Sequence, residues 1–203
     1  MTEINTIGIT GEDGAGKSSI AAIVQELLGQ ERRVTRMAFA DDLKLMLREL
    51  DPILGARVMG TGTEEICLSD LIDEGYSEAE IKSAYPEYRR LLRTLGTKCI
   101  RARHEDFWIE QLASGLYGLN SDDAIVIDDI RFWNESEEAR HGLHTWDRYN
   151  DGRIIKVTGR GTGSGQGEEL SEIGADAVII NDGTPDELRD KVKEVLAEWG
   201  FKL

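Results

Sequence analysis

The sequence is poor in basic residues. Its 203 residues include 24 Lys and Arg against 39 Asp and Glu, which gives a formal net charge of −15 at pH 7. Proteins that coat nucleic acids need a surplus of Lys and Arg to neutralise phosphates, so this imbalance argues against DNA or RNA polymers as partners. An acidic surface still permits a small basic pocket.

Cysteine and long hydrophobic runs are also scarce. The only cysteines, Cys67 and Cys99, lack metal-ligand spacing, so we expect free thiols in a reducing cytoplasm. No apolar run approaches the roughly 20 residues that cross a bilayer, and the polar start MTEINT is unlike a secretory signal. We therefore expect a cytoplasmic protein without a membrane partner.

A complete phosphate-binding motif stands near the start of the chain. Residues 11–18 read GEDGAGKS, which fits G-x-x-x-x-G-K-[ST]. A β-branched run over residues 4–10 precedes the motif, and apolar residues at helical spacing follow it: Ile20, Ile23, Val24, Leu27 and Leu28. This order lets backbone N–H groups and a helix N-terminus surround a polyphosphate, whereas a plain Gly-rich turn needs no such flanks.

The motif predicts an ATP site with magnesium. Lys17 is expected to reach the β and γ phosphates, and the Ser18 hydroxyl is expected to ligate Mg²⁺. The residues expected to contact ATP are Gly11, Asp13, Gly14, Ala15, Gly16, Lys17, Ser18 and Ser19.

Apolar strand candidates alternate with helical patterns. The candidates are residues 4–10, 34–40, 124–127, 154–158 and 177–180. This alternation predicts a three-layer α/β protein, in which helices cover both faces of a mostly parallel central sheet of about five strands. We expect a single domain over residues 1–203, with a helical insertion at 51–86. The last helix is predicted from a capping box that begins at Thr184.

Two carboxylates follow the third strand candidate. Asp128 and Asp129 come directly after an apolar run, as expected of an acid that faces the phosphate-binding loop from a neighbouring strand. One of them is expected to hold magnesium, directly or through water, and the sequence leaves open which one. Strands also end in Asp for reasons of turn geometry alone.

The helix after the second strand candidate begins with FADDLK. Asp41 lies near the carboxyl end of a strand, where open α/β sheets bind ligands, and would contact an acceptor or a metal-bound water. Lys44 would bind an acceptor phosphate. The alternatives are that the acids only stabilise the helix start and that Lys44 is simply solvated.

An arginine-rich segment stands out in this acidic chain. Arg89, Arg93, Thr97 and Arg101 follow one another at i+4 spacing within YRRLLRTLGTKCIRAR, which would line one helix face with guanidinium groups. Guanidinium groups bind phosphate oxygens bidentately, whereas a solvated face that balances nearby acids is the alternative. Gly96 is a point at which the helix would break and shift the later positions.

Two further features are compatible with a nucleotide site. Tyr85 and Trp108 would stack on a base, although both residue types more often pack in cores.

Residues 159–167 read GRGTGSGQG, which predicts a loop that is either a lid, extending to residue 170, or a plain flexible connection.

The chain resembles the bacteriophage-type deoxynucleoside monophosphate kinases. The resemblance runs over nearly the whole chain and lies in GEDGAGKSS, FADDLK, YRRLLRTLGTKCIRARHEDFW, DDIRFWNE and DAVIINDGTPDEL, the third and fourth pieces being the most specific. It implies a P-loop nucleoside monophosphate kinase fold, ATP and Mg²⁺ as cofactors, and the host cytoplasm as location if the protein is of phage origin.

The resemblance also implies roles for individual residues. Lys17 and Ser18 would serve the ATP phosphates and magnesium, Asp41 and Lys44 would lie near the acceptor, and Arg160 would belong to a lid over ATP. Positive groups around the donor and acceptor phosphates would be Arg93, Arg101 and Arg131. The strand-end motif would be completed by Asp129, Asn134 and Glu135.

We hypothesise transfer of the ATP γ-phosphoryl group to a deoxynucleoside 5′-monophosphate. Residues expected to act in the transfer are Lys17, Asp41, Arg93 and Arg131. Residues expected to bind the acceptor are Asp41, Lys44, Arg89, Arg93, Arg101, Trp108, Arg131 and Glu135. The insertion at 51–86 is a candidate for base recognition or for the subunit contact of a homodimer.

Rival functions share the phosphate-binding loop. Another small-molecule kinase of this fold, such as a dephospho-coenzyme A kinase or a nucleoside kinase, remains open. A GTP-dependent switch needs an [NT]-K-x-D element, and the nearest sequence, Thr97-Lys98-Cys99-Ile100, lacks the Asp. A transport ATPase is disfavoured because residues 164–169, SGQGEE, do not form an LSGGQ signature.

Overall fold

The computed structural model describes residues 4–120, 122–141, 151–160, 170 and 172–203. The chain divides into two compact units, one formed by Met1–Phe39 with Ile109–Leu203 and the other by Ala40–Trp108. The strands are β1 (Ile4–Gly11), β2 (Val34–Met37), β3 (Ile53–Met59), β4 (Gly62–Cys67), β5 (Ala124–Ile130), β6 (Asp151–Thr158) and β7 (Ala177–Ile180).

The helices lie between and after these strands. They are α1 (Lys17–Leu28), α2 (Asp41–Leu50), α3 (Leu68–Asp73), α4 (Glu78–Ala84), α5 (Pro86–Arg93), a π-helix (Thr94–Arg101), α6 (Phe107–Ser114), α7 (Trp133–His141) and α8 (Pro185–Glu198). None of the helices in the described ranges is long and apolar enough to cross a membrane.

The first unit is built on a parallel five-stranded sheet with the order β2-β5-β1-β6-β7. All of its strands were predicted from apolar, β-branched runs, and the differences are at their ends. Strand β2 stops at Met37 rather than at residue 40, and β5 continues through both aspartates to Ile130. Central parallel strands are covered on both faces, which explains why their sequences are apolar without strict alternation.

Helices cover both faces of this sheet. On one face, Ile7 and Ile9 of β1 are fully buried in a core shared with α1 and α8. On the other face, a Cβ added at Gly8 would come within 3.6 Å of Cβ of Ala139, which lies on α7. The three-layer α/β fold predicted from the sequence is therefore confirmed.

The strand order determines where a ligand binds. After β1 the chain crosses to β2 on one side of the sheet, whereas after β6 it continues to β7 on the other side. Open α/β sheets bind ligands at the carboxyl ends of the strands beside such a reversal. The loop that carries the phosphate-binding motif, between β1 and α1, lies at this position.

The last helix is capped at its N-terminus by the predicted capping box. The Thr184 hydroxyl accepts a hydrogen bond from the Glu187 N–H, and the Glu187 carboxylate accepts one from the Thr184 N–H. Its inward stripe, Leu188, Val192 and Leu196, is buried against β1 and α1 residues of the core. The capping box and the apolar stripe explain why this helix was predictable.

The second unit contains a β-hairpin that the sequence did not indicate. Strands β3 and β4 pair antiparallel, and α3 and α4 follow them within the segment 51–86. The segment is thus part hairpin and part helix, and its description as a helical insertion was incomplete. Most residues of β4 are exposed, so the strand lacks the apolar pattern from which a strand is predicted.

Candidate active site

The loop between β1 and α1 adopts a conformation that requires its glycines. Gly11, Gly14 and Gly16 have positive φ angles of 147°, 79° and 104°. A Cβ at Gly11 would also collide with the carbonyl oxygen of Val157, and one at Gly16 would collide with the Asn181 amide. Gly16 is also the N-cap of α1 and has no side chain to occupy the helix N-terminus, which leaves backbone donors for an anion.

Asn181 holds this loop in place through the backbone of Ala15. Its side chain is buried, and its amide nitrogen donates a hydrogen bond of 2.8 Å to the Ala15 carbonyl. Asn181 follows β7 directly, so the end of one strand holds the loop that follows another. No role was predicted for this residue. The available signal was a polar residue directly after an apolar strand.

Lys17 lies above the loop. Its ammonium group donates to the carbonyl oxygens of Gly11 and Glu12 at 2.7 and 2.9 Å, and it lies 3.2 Å from Oδ1 of Asp129. Lys17 is the first residue of α1. The three oxygen atoms hold its ammonium group beside the backbone of the loop. A phosphate bound there would meet a positive charge already in place.

Asp129 occupies a β-bulge. Ile9 pairs with Asp128 and Thr10 pairs with Ile130, so Asp129 is the extra residue in β5, and its φ angle is 75°. The Thr10 hydroxyl donates to the Ile130 carbonyl at 2.8 Å and fastens the strand just past the bulge. Left-handed backbone in a non-glycine residue is costly, of order 1–3 kcal/mol, and persists where the surroundings enforce it.

The bulge turns the Asp129 carboxylate towards two cations. Oδ2 lies 2.7 Å from Nη2 of Arg131, and Oδ1 faces Lys17. Burial alone would raise the pKa of the Asp129 carboxyl, but the charges of Arg131 and Lys17 outweigh it, and the pKa lies below its ordinary value. Burial alone would lower the pKa of Arg131, but the negative charge of Asp129 outweighs it, and the pKa of Arg131 lies above its ordinary value.

Asp128 faces the other side of the loop. Its Oδ2 lies 3.5 Å from the Ser18 hydroxyl, and it accepts a hydrogen bond of 2.9 Å from Nε of Arg36 and another from Nη2. The two aspartates left open by the sequence therefore have different neighbours: Asp128 meets Ser18, and Asp129 meets Lys17. Arg36, on β2, was not among the predicted site residues.

Arg131 is tied to the phosphate-binding loop. Its Nη2 lies 3.3 Å from Oδ1 of Asp13, so Asp13, Arg131, Asp129 and Lys17 form a continuous chain of ion pairs. Glu135 is buried, and its carboxylate accepts the backbone N–H groups of Arg131 and Phe132. Glu135 thus holds the start of α7 and, with it, the backbone of Arg131.

The lid prediction falls mostly outside the described residues. Arg160 is exposed and donates a hydrogen bond to the Gly183 carbonyl. Residues 161–169, which carry most of the Gly-rich stretch, are not among those that the structure describes. The lid remains a prediction.

In the second unit, Asp41 and Lys44 lie together at the start of α2. The Lys44 ammonium lies 3.2 Å from Oδ1 of Asp41 and 3.2 Å from Oε2 of Glu78 on α4. Burial lowers the pKa of Lys44, but Glu78 and Asp41 outweigh this effect and the pKa lies above its ordinary value. Lys44 is therefore a firmly charged group, and Glu78 is a neighbour that the sequence did not predict.

The arginine row does not continue on one helix face. Helix α5 ends at Arg93, and the next eight residues form a π-helix with i→i+5 geometry, so the i+4 alignment of Arg93 with Arg101 is lost. Arg89 donates to the Lys82 carbonyl at 2.7 Å, Arg93 is exposed, and Arg101 is half-buried. The helical shift that Gly96 suggested is confirmed, as π-helix rather than a break.

Gly96 and Trp108 belong to the packing of this second unit. A Cβ at Gly96 would lie 2.7 Å from Cδ2 of Leu43, so the glycine permits α2 to approach the π-helix. The indole N–H of Trp108 donates to the Gly96 carbonyl at 3.1 Å, and the residue is 5% exposed. Trp108 has the environment of a core residue, and its stacking on a base remains a prediction.

Two oxygen donors beside the loop are candidate ligands for a magnesium ion. No group of three or more His, Cys, Asp or Glu side chains that would hold a metal ion occurs among the described residues. The Ser18 hydroxyl and the Asp128 carboxylate lie 3.5 Å apart, and both are hard oxygen donors. Magnesium is typically held by one or two such groups together with substrate phosphates, so this pair fits it.

Comparison with known proteins gives a likeness of fold. No protein-family model matches the chain, and no curated protein matches it. The Mycobacterium tuberculosis APS kinase CysC in complex with AMPPNP and APS is 15% identical, with a TM-score of 0.48 over 97% of this chain and 99% of that chain. Identity this low carries no information about the substrate of the present protein.

Two further solved structures show the same level of likeness. Shikimate kinase from Acinetobacter baumannii in complex with shikimate is 13% identical, with a TM-score of 0.45 over 98% of this chain and 96% of that chain. Dephospho-CoA kinase from Campylobacter jejuni is 14% identical, with a TM-score of 0.38 over 96% of this chain and 97% of that chain.

Proposed function

We propose that this protein is a kinase that transfers the γ-phosphoryl group of ATP to a deoxynucleoside 5′-monophosphate. The observation that carries the proposal is the pairing of Lys17 and Arg131 with one carboxylate, Asp129, beside a loop shaped to receive phosphates. Phosphoryl transfer needs aligned reactants and positive charge around the equatorial oxygens of the transferred group. Lys17 and Arg131 supply that charge.

The donor half of the reaction rests on the first unit. The loop Gly11–Ser18 and the N-terminus of α1 would bind the β and γ phosphates of ATP through backbone N–H groups. Lys17 would leave the carbonyl oxygens of Gly11 and Glu12 for the stronger charge of a phosphate oxygen. Arg131 would remain oriented by Asp129 and by Asp13 of the loop.

Ser18 and Asp128 would hold magnesium. When bound, Mg²⁺ neutralises charge on the β and γ phosphates. Asp129, in contrast, faces Lys17 and Arg131, which supports a positioning role for it and favours Asp128 as the metal carboxylate.

The residues that would bind the acceptor are taken from the sequence and its resemblance, and Arg131 is one of them. Lys44, Arg89, Arg93 and Arg101 would bind the acceptor phosphate, and Asp41 would orient the acceptor. The support is the charge of Lys44, which its acidic neighbours maintain, and the resemblance of the arginine-rich segment to deoxynucleoside monophosphate kinases. The proposed substrates are cytoplasmic metabolites, and the proposed location is accordingly the cytoplasm.

An acceptor panel tests this function. ADP release would be measured with ATP, magnesium and each deoxy- and ribonucleoside monophosphate, alongside dephospho-coenzyme A, nucleosides and shikimate. We expect turnover with at least one deoxynucleoside monophosphate and formation of its diphosphate. Turnover with dephospho-coenzyme A or a nucleoside and with no monophosphate would assign the protein to another kinase activity.

A further inference from the structure

Arg36 lies beside the metal carboxylate although nothing in its sequence context marks it. It is on β2, the edge strand that pairs with β5, where Arg36 is opposite Val126 and Met37 is opposite Ile127. Asp128 is therefore the next residue of β5 beyond the paired segment. The Arg36 guanidinium reaches across to it, with Nε 2.9 Å from Oδ2 and Nη2 on the same oxygen.

Oδ2 of Asp128 accepts hydrogen bonds from both Arg36 and Ser18. The Ser18 hydroxyl lies 3.5 Å from the same Oδ2 of Asp128 that accepts both Arg36 nitrogens. A carboxylate oxygen has two lone pairs, and the guanidinium already uses that capacity. A magnesium ion that takes Asp128 Oδ2 as a ligand thus needs the position that Arg36 now holds.

We propose that Arg36 is a positioning residue that occupies the metal side of Asp128 and sets the affinity of the site for its divalent cation. This inference rests on the proposed function, because it assumes that Ser18 and Asp128 bind the metal of a nucleotide. Arg36 occupies Oδ2 of Asp128 while the cation is absent, and it yields this oxygen when the cation binds. The cost of displacing it lowers metal affinity.

The charge of Arg36 determines whether its replacement strengthens or weakens cation binding. A guanidinium next to Asp128 repels a divalent cation, so its removal strengthens cation binding. A purely structural role would have the opposite result, because loss of Arg36 would then leave Asp128 poorly oriented and weaken binding. The Arg36 side chain is 31% exposed, which leaves it free to move into solvent when displaced.

The test is a Mn²⁺ titration followed by electron paramagnetic resonance, with AMPPNP present and with no acceptor. Arg36→Gln and Arg36→Met remove the charge, Arg36→Lys keeps it, and Arg33→Gln removes an exposed charge just before the same strand. We expect Arg36→Gln and Arg36→Met to bind Mn²⁺ about fivefold tighter than wild type, because a like charge has been removed from the site. Arg36→Lys and Arg33→Gln should stay within about twofold of wild type.

Further variants assign the effect to Asp128. The added substitution Asp128→Asn should abolish the gain in the Arg36→Gln background, and thermal unfolding would identify any variant that is not folded. Unchanged or weaker Mn²⁺ binding in folded Arg36→Gln or Arg36→Met overturns the inference. If the acceptor panel fails while wild type still binds Mn²⁺ with AMPPNP, only the proposed substrate is refuted, whereas failure of that binding refutes the metal site itself.

Discussion

Lys17 of the phosphate-binding loop and Asp129 of strand β5 form an ion pair in which Nζ and Oδ1 are 3.2 Å apart. The pair joins the loop to the bulge in β5, and Arg131 extends it to Asp13 at the other end of the loop. The positive charges that would meet the phosphates are therefore fixed by acids of the same site rather than by the ligand alone. Such preorganisation lowers the cost of stabilising charge in a transition state.

Replacement of Lys17 tests the loop's part in transfer. We expect Lys17→Met to reduce kcat/KM by about 100-fold or more, since the variant lacks a charge directed at the transferred group. The fold should persist, because Arg131 still pairs with Asp129. Lys193→Met, on the exposed side of α8, is the matched control and should retain wild-type activity. Wild-type kcat/KM in Lys17→Met would remove the loop from the mechanism.

Backbone strain at Asp129 is separable from its charge. Asp129→Gly and Asp129→Ala both lack the carboxylate, but only glycine accepts a φ of 75° without strain. We expect the glycine variant to be more stable than the alanine variant by about 1 kcal/mol in urea unfolding. At Asp128, whose φ is not positive, the order should reverse, because glycine weakens a strand. Equal stabilities at position 129 would show that the bulge relaxes.

The depressed pKa of Asp129 predicts a pH dependence of stability. Since the folded-state pKa lies below the unfolded value of about 3.9, the ionised carboxylate stabilises the fold above that pH, and this contribution is lost as the pH falls through the folded-state pKa. Urea unfolding of wild type and Asp129→Asn should differ by a constant amount above about pH 5, and the difference should shrink below about pH 4. A difference that persists unchanged at pH 3 would contradict this assignment.

The sequence was sufficient for the central sheet and insufficient for the second unit. The inner strands β5, β1 and β6 are mostly buried, apolar and rich in β-branched residues, and shorter runs of the same kind marked the edge strands β2 and β7. The β3–β4 hairpin is mostly exposed, and its sequence therefore lacks that signal. The close approach of Leu43 to Gly96 in the π-helix joins segments far apart in the chain, and no local periodicity records it.

The site shows the same division. The loop and its lysine were predictable because the motif is contiguous. Asn181 and Arg36 act on residues far away in sequence, Ala15 and Asp128, and only the strand order brings them there. The two aspartates could not be told apart because the bulge that turns Asp129 away from Asp128 depends on how β5 pairs with β1.

Gly16 combines a backbone requirement with a steric one, and substitution can distinguish them. A Cβ at Gly16 would collide with the Asn181 amide in addition to occupying a φ of 104°. Gly118 has a similar φ of 88° but no atom within 4 Å of its added Cβ. Gly118→Ala should thus lose about 1 kcal/mol of stability and keep nucleotide affinity, since only backbone strain is introduced.

Gly16→Ala should lose more stability than Gly118→Ala and should weaken AMPPNP binding by at least about tenfold, because it displaces Asn181 and with it the Ala15 carbonyl. Asn181→Gly in the Gly16→Ala background removes the colliding amide, and we expect it to restore part of the stability but not the affinity. The affinity depends on the hydrogen bond that positions the loop, which the double variant lacks. Isothermal titration calorimetry with AMPPNP and urea unfolding would measure both quantities. Full recovery of AMPPNP affinity in the double variant would mean that Asn181 only fills space beside the loop.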